Sequence, residues 1–252
     1  MHLPFRSWLI VTLAALTLSA FQAGAVEVNV AVAANFSAPM QIIASDFERA
    51  TGHKALLSTG ATGKFYAQIE NGAPFDVLLA ADDETPARLI AEKYAVSGSA
   101  FTYATGKLVL WSAKPGFIDA QAAALKTGRF AHLALASPKL APYGRAAVET
   151  LAALKLDVPP GKIVTGENIA QTFQFVASGN AELGFVALSQ VSKDGKLTSG
   201  SGWVVPATLH APIKQDAVLL DKGRNNAAAI ALLAYLKSPA ARAVIQGFGY
   251  GI

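Results

Sequence analysis

Short β-branched runs alternate with helical periodicity along most of the chain. Residues 27–33, EVNVAVA, read as a first strand. Met40, Ile43, Ala44 and Phe47 recur at helical spacing and predict a helix over 37–50. Ser37 is placed to cap that helix, Pro39 falls in its first turn, and Gly52 stops it. A strand over 55–58, a helix over 62–70 with Phe65 and Ile69 inward, a strand over 77–80 and a helix opening at Pro86 follow. An extended stretch, 101–111, leads into a second half with the same rhythm: strand 133–136, helix 142–154, strand 163–165, helix 168–177 and strand 183–187. The polar segment 192–202 reads as a loop. An extended run over 213–220 and helices over 225–237 and 239–246 complete the pattern. Alternation of this kind predicts an α/β architecture, mostly parallel sheet with helices on both faces.

The first 25 residues follow another rule. Arg6 is followed by no further charge until Glu27. Residues 8–20 are apolar, and Ala23-Gly24-Ala25 is a small-x-small site. This predicts a secretory leader cleaved near Ala25. An uncleaved anchor is the competing reading, because 7–26 carry no charge and approach spanning length. The leader makes the expected destination the periplasm.

Composition removes several classes of function. Hydrophobic residues make up 52% and charged residues 15%, so the chain can bury a core and is not disordered. It has no cysteine, which excludes a disulfide, a thiolate metal site, a cysteine nucleophile and a lipid anchor on cysteine. The formal charge of +4 is dispersed and forms no stripe for nucleic acid. His2, His53, His132 and His210 have no metal-ligand spacing, and no Ser/His/Asp triad stands out. Residues 60–65, GATGKF, lack the spacing of a phosphate loop, and Lys64 reads as a solvated or rim lysine. Asp82, Asp83 and Glu84 read as an acidic helix start that favours the dipole. Trp111, Phe117 and Trp203 read as core.

Four strand-to-helix turns remain: 33–37 around Asn35, 58–63 around Thr62, 137–144 ending in Pro142-Tyr143-Gly144, and 165–169 ending in Asn168-Ile169. In open α/β sheets ligands sit beyond the carboxyl ends of the strands, where such turns lie. Helix starts offer unpaired N–H groups and partial positive charge, and small residues let a ligand approach that backbone. Together they suit an anion without lysine or arginine. Each turn alone reads more readily as an ordinary capped helix start.

The runs VAVAANFSAPM, STGATGKFYAQIENGAPFDVLLAADDE, FTYATGKLVLWSAKPG, ASPKLAPYGRAAVETL and ENIAQTFQFVASGNAELGFVALSQ resemble the periplasmic molybdate-binding proteins of ABC transporters, over nearly the whole chain from Glu27 on. The resemblance implies a two-lobed periplasmic-binding-protein fold of type II, with the ligand cleft between α/β lobes. The implied boundaries are 1–25 for the leader, 26–107 completed by 209–252 for one lobe, and 108–208 for the other. Carried over by position, the implied oxyanion contacts are Asn35 with Ala34, Thr62 with Ala61, and the backbone N–H groups of Tyr143 and Ile169. A tyrosine donor used by some members falls on Ala187 here. Glu167, beside the fourth turn, is expected to point away from the ligand.

Molybdate is a tetrahedral dianion with only acceptor oxygens, so a selective site is all donors; the Asn35 amide, the Thr62 hydroxyl and backbone N–H groups fit. The resemblance further implies no cofactor, molybdate or tungstate as ligand, no covalent chemistry, a monomer, and an ABC permease and ATPase as partner chains. Another tetrahedral oxyanion such as sulfate, or an enzyme on the same two-lobed fold, stays open at this point. The exported protein is expected to begin at Val26, which the intact mass and the N-terminal sequence of the secreted form check. A retained leader would favour the anchor reading.

Overall fold

The computed structural model describes residues 24–252. The basic and apolar parts of the expected leader, residues 1–23, lie outside them. Strand β1 (Glu27–Ala33) passes through a 3-10 turn (Ala34–Phe36) into α1 (Ser37–Thr51). Then come β2 (Lys54–Gly60), α2 (Thr62–Glu70), β3 (Val77–Leu79), α3 (Glu84–Ala91) and β4 (Phe101–Gly106). The second unit holds β5 (Leu108–Ser112), α4 (Ala123–Lys126), β6 (Leu133–Ala136), α5 (Pro142–Ala153), β7 (Ile163–Gly166) and α6 (Ile169–Ala177). It continues with β8 (Leu183–Ala187), α7 (Leu188–Val191), a small hairpin of β9 (Ser192–Lys193) and β10 (Lys196–Leu197), and β11 (Ser201–Val204). Finally β12 (Ile213–Leu219), α8 (Ala227–Tyr235) and α9 (Pro239–Gly247) return to the first unit.

Two five-stranded sheets result, ordered β2-β1-β3-β12-β4 and β11-β5-β8-β6-β7. In the first, β1 is parallel to β2 and β3, and β12 runs antiparallel to both β3 and β4. In the second, β6 is parallel to β7 and β8, and β5 runs antiparallel to both β8 and β11. Each sheet therefore has one reversed strand next to an edge, and its other strands share one direction. This is the α/β, two-lobed arrangement expected. The chain crosses between sheets at Lys107 and returns through 205–212.

Local chemistry explains the elements. Met40, Ile43 and Phe47 are fully buried on the inner face of α1. Gly52 ends α1 in the left-handed region, at φ 74°, with its N–H on Glu48 O. Asn168, Asn226 and Ser238 cap α6, α8 and α9 through their side chains. Phe36 is fully buried between the rings of Tyr103 and Tyr250, at 4.6 and 5.6 Å. Trp111 is buried and stacks on Phe173 at 5.3 Å. Among the described residues no single helix is long and apolar enough to cross a membrane.

Two local expectations need correction. Ser37 does not cap α1: a 3-10 turn precedes the helix, Phe36 holds the cap position, and Ser37 is already helical. Its hydroxyl lies 3.3 Å from that of Thr59 instead. The segment 192–202 is not all loop, since it contains β9, β10 and the start of β11. In Ser-Gly-Trp-Val only Trp203 and Val204 favour a strand; the whole run is extended because it pairs with β5, from Ser201 opposite Ser112 to Val204 opposite Val109.

Candidate functional site

The carboxyl ends of β1, β2, β6 and β7 run into helix starts, and these starts meet between the lobes. They line a cavity of about 10 Å³, the space of about one water. All six residues named from the sequence line it: Ala34, Asn35, Ala61, Thr62, Tyr143 and Ile169. The remaining wall is Ala33, Gly60, Ala81, Ala141, Pro142 and Asn168, so no carboxylate and no lysine or arginine is part of it.

The first turn of each helix can be followed donor by donor. In α6, Asn168 Oδ1 accepts the N–H groups of Ala170 and Gln171, each at 3.0 Å, and Asn168 O accepts that of Thr172. Ile169 N–H is left without a partner among the described residues. In α5, Pro142 has no N–H, and those of Gly144 and Arg145 go to Ala141 O. Tyr143 N–H is left. In α2, Gly63 N–H crosses to Leu140 O of the other lobe at 3.0 Å, and Lys64 and Phe65 donate to Ala61 O. Thr62 N–H is left. Ala34 and Asn35 N–H head the 3-10 turn, where no internal acceptor is available.

Thr62 adds a second kind of donor, a hydroxyl. Its hydroxyl oxygen accepts the Ala81 N–H at 3.0 Å, so its own proton is free to be donated. It is not the N-cap, since Ala61 occupies that position. The site is thus built of N–H and O–H groups at the positive ends of helices.

For Asn35 the sequence leaves open whether side chain or backbone donates. Its amide does not face the cavity as a donor, because Nδ2 donates to Gln215 Oε1 at 2.8 Å and to Tyr250 Oη at 3.0 Å. Its main-chain carbonyl accepts from Tyr250 Oη at 2.7 Å and from Ser189 Oγ at 3.0 Å. Asn35 contributes main chain to the cavity, and its side chain anchors the turn. Gln215, Tyr103, Tyr250 and Ser189 were not visible as site residues in the sequence. A glutamine in line with the apolar positions Ile213, Ala217 and Leu219 of one strand was the one available signal. Burial pushes the hydroxyls of Tyr103 and Tyr143 well above the usual phenol range and raises that of Tyr250, so all three stay neutral donors.

The lobes are drawn together around the cavity. Lys64 Nζ pairs with Glu167 at 2.6 Å, and Arg145 with Glu84 at 2.7 Å, each pair spanning the two lobes. Lys64 is therefore a paired rim lysine, and Glu167 turns to it, away from the cavity. All four side chains are well exposed, so these pairs contribute little stability. Gly63 packs where a Cβ would lie 3.1 Å from Leu140 Cα, which keeps the two lobes in backbone contact.

A family model described as bacterial extracellular solute-binding protein matches residues 28–251. This chain belongs to that family. Among its relatives, the molybdate-binding protein ModA of Azotobacter vinelandii is 63% identical over 236 residues, covering 93% of this chain and 94% of the relative. The molybdate-binding protein ModA of Rhodobacter capsulatus is 50% identical over 233 residues, covering 92% and 90%. The solved Azotobacter vinelandii periplasmic molybdate-binding protein superposes with a TM-score of 0.86 at 40% identity, covering 89% of this chain and 99% of that one.

This solute-binding protein has two wider clefts at the same lobe interface, of about 280 and 310 Å³. Both are bordered by Asp82, Glu84 and Arg145, and neither collects the four helix starts. Their carboxylates disfavour an anion. Asp82 Oδ1 accepts Thr85 N–H at 3.0 Å, so Asp82 serves the start of α3 while Asp83, at the cap position, makes no side-chain cap bond. Burial raises the Asp82 pKa, against the smaller opposing effects of Thr85 and Arg145. A raised carboxyl pKa costs folded-state stability only where the group ionises, so the cost is absent in acid and grows as pH rises through the carboxylate range. Asp82→Asn keeps the acceptor for Thr85. It is expected to raise the unfolding midpoint at pH 7, with the gain shrinking as the pH falls into the carboxylate range. Thermal unfolding across pH checks this, and a gain independent of pH contradicts it.

Proposed function

We propose that this protein is an extracytoplasmic receptor that captures molybdate, and also tungstate, and delivers it to an ABC importer. The permease and the ATPase are then separate chains, and the protein itself acts as a binding protein, not as an enzyme. The single observation that supports this reading most is the donor-only cavity: unpartnered N–H groups at Thr62, Tyr143 and Ile169, those at the head of the Asn35 turn, and the Thr62 hydroxyl. The names of the Azotobacter and Rhodobacter relatives point to the same ligand. The leader-like first 25 residues and the periplasmic relative support export to the periplasm; the exported form is taken as a monomer.

A doubly charged tetrahedral oxyanion presents acceptors in every direction and needs no acceptor from the protein. A protonated phosphate carries an O–H that this wall leaves unmatched, at the cost of an unsatisfied buried group. Sulfate has the same charge and shape but shorter bonds, so a fixed ring of donors discriminates against it by size. Two of the turns belong to each sheet, so a bound anion stabilises the closed arrangement over an open one. The bodies that move are taken as 26–107 with 209–252, and 108–208. A permease reading the closed state would then recognise the loaded protein.

The test is thermal unfolding of the leader-free protein with molybdate, tungstate, sulfate, phosphate and nitrate in turn. An anion at 100 times its dissociation constant stabilises by about 2.7 kcal/mol, or about 5–11 °C for a chain of this length. Molybdate and tungstate are expected to shift the midpoint, and the other anions not. A sulfate shift of equal size would favour a general oxyanion receptor, and no shift on a folded, ligand-free sample would reject the site. Thr62→Ala removes the hydroxyl donor and is expected to weaken molybdate binding by about 1–3 kcal/mol, or about 5–150-fold, in calorimetry.

A further inference from the structure

Behind the cavity lies a polar cluster sealed from solvent at the crossing between lobes. Gln215 is its centre. It is fully buried on β12, on a face whose other members, Ile213, Ala217 and Leu219, are apolar and buried. Its Oε1 accepts from Asn35 Nδ2 at 2.8 Å and from Tyr103 Oη at 3.1 Å. Its Nε2 donates to Tyr143 Oη at 3.1 Å. Asn35 belongs to the first lobe and Tyr143 to the second, and both contribute backbone to the cavity. One amide therefore joins two cavity turns from opposite lobes.

The surrounding backbone is shaped to this bond. The pairing of β12 with β4 shifts register between Gln215 and Asp216, the kind of irregularity that re-aims a side chain. At the end of β4, a Cβ on Gly106 would lie 2.2 Å from Tyr143 Oη and 2.6 Å from Gln215 Nε2. Only a residue without a side chain leaves room there for the Gln215–Tyr143 contact. A leucine would fill the Gln215 position without the cost of burying an amide. Packing alone does not account for glutamine, whereas a connection between the lobes does.

We infer that Gln215 is a positioning residue for anion retention: it never touches the ligand, but holds the Asn35 turn and the Tyr143 helix start in the spacing that the anion requires. It acts when the lobes are closed, since Tyr143 reaches it from the other lobe. Its loss speeds release of the anion and leaves capture from solution unchanged. This inference rests on the oxyanion-receptor reading.

The experiment compares molybdate affinity by calorimetry, and association and dissociation rates by stopped flow, for the wild-type protein, Gln215→Met, Tyr143→Phe and the double variant. Each single variant is expected to weaken binding by about 5–150-fold, through the dissociation rate. The double variant is expected to be no weaker than Gln215→Met alone, because that variant already lacks the bond that Tyr143→Phe removes. Unchanged affinity in the folded single variants, losses that multiply, or a slowed association with normal dissociation would each overturn the inference. If Gln215→Met does not fold, Tyr143→Phe, which lacks one oxygen, decides alone by its dissociation rate. A wild-type protein that binds no molybdate removes both this inference and the receptor reading. Wild-type binding with unaffected variants removes this inference only.

Discussion

Positive helix ends repel one another, and in a dry cavity that repulsion is barely screened. This protein brings the starts of α2, α5 and α6 and the 3-10 turn after β1 to one point. Their leftover N–H groups are the partial charges that meet there. Such convergence is unfavourable on its own and favours an anion at that point; under the proposed function, closure would then depend on the anion. The wall has no acidic residue that could neutralise the site from within, and the nearest carboxylates are held elsewhere, Glu167 on Lys64 and Asp82 on the N–H of Thr85.

The topology makes that convergence possible. Parallel strands that share one direction deliver their carboxyl ends, and therefore the following helix starts, to one side of each sheet. The reversed strands, β12 and β5, are the ones next to the crossings. They let the chain leave one sheet and enter the other without threading either helix layer. The lobes stay adjacent at Gly106 and Lys107, and the cavity faces that junction.

What the sequence discloses follows the range of the interaction. The four turns were legible because small residues, Pro142 and Asn168 act within a few positions of themselves. Elimination of donors in α6 and α5 is local too, and the residues it leaves, Ile169 and Tyr143, are those the family resemblance indicated. The role of the Asn35 side chain was not legible, because its partners Gln215 and Tyr250 lie 180 and 215 residues away. For the same reason a tertiary partner, β5, more than the propensity of Trp203 and Val204, makes β11 a strand. Ser37 failed as a cap because an extra 3-10 turn moved the helix start by the space of one residue, a shift that composition does not encode.

The first sheet cannot be completed in the order in which the chain is made. It opens with β1 but needs β12 between β3 and β4, and Asn35 waits for Tyr250. A chain threaded through a translocation pore amino end first would emerge with its early strands exposed and its β3–β4 gap unfilled. The last stretch to arrive then acts as a keystone. Until it does, the early half has neither a closed sheet nor a buried partner for Asn35, so in an exported chain stable folding would wait until translocation is nearly over.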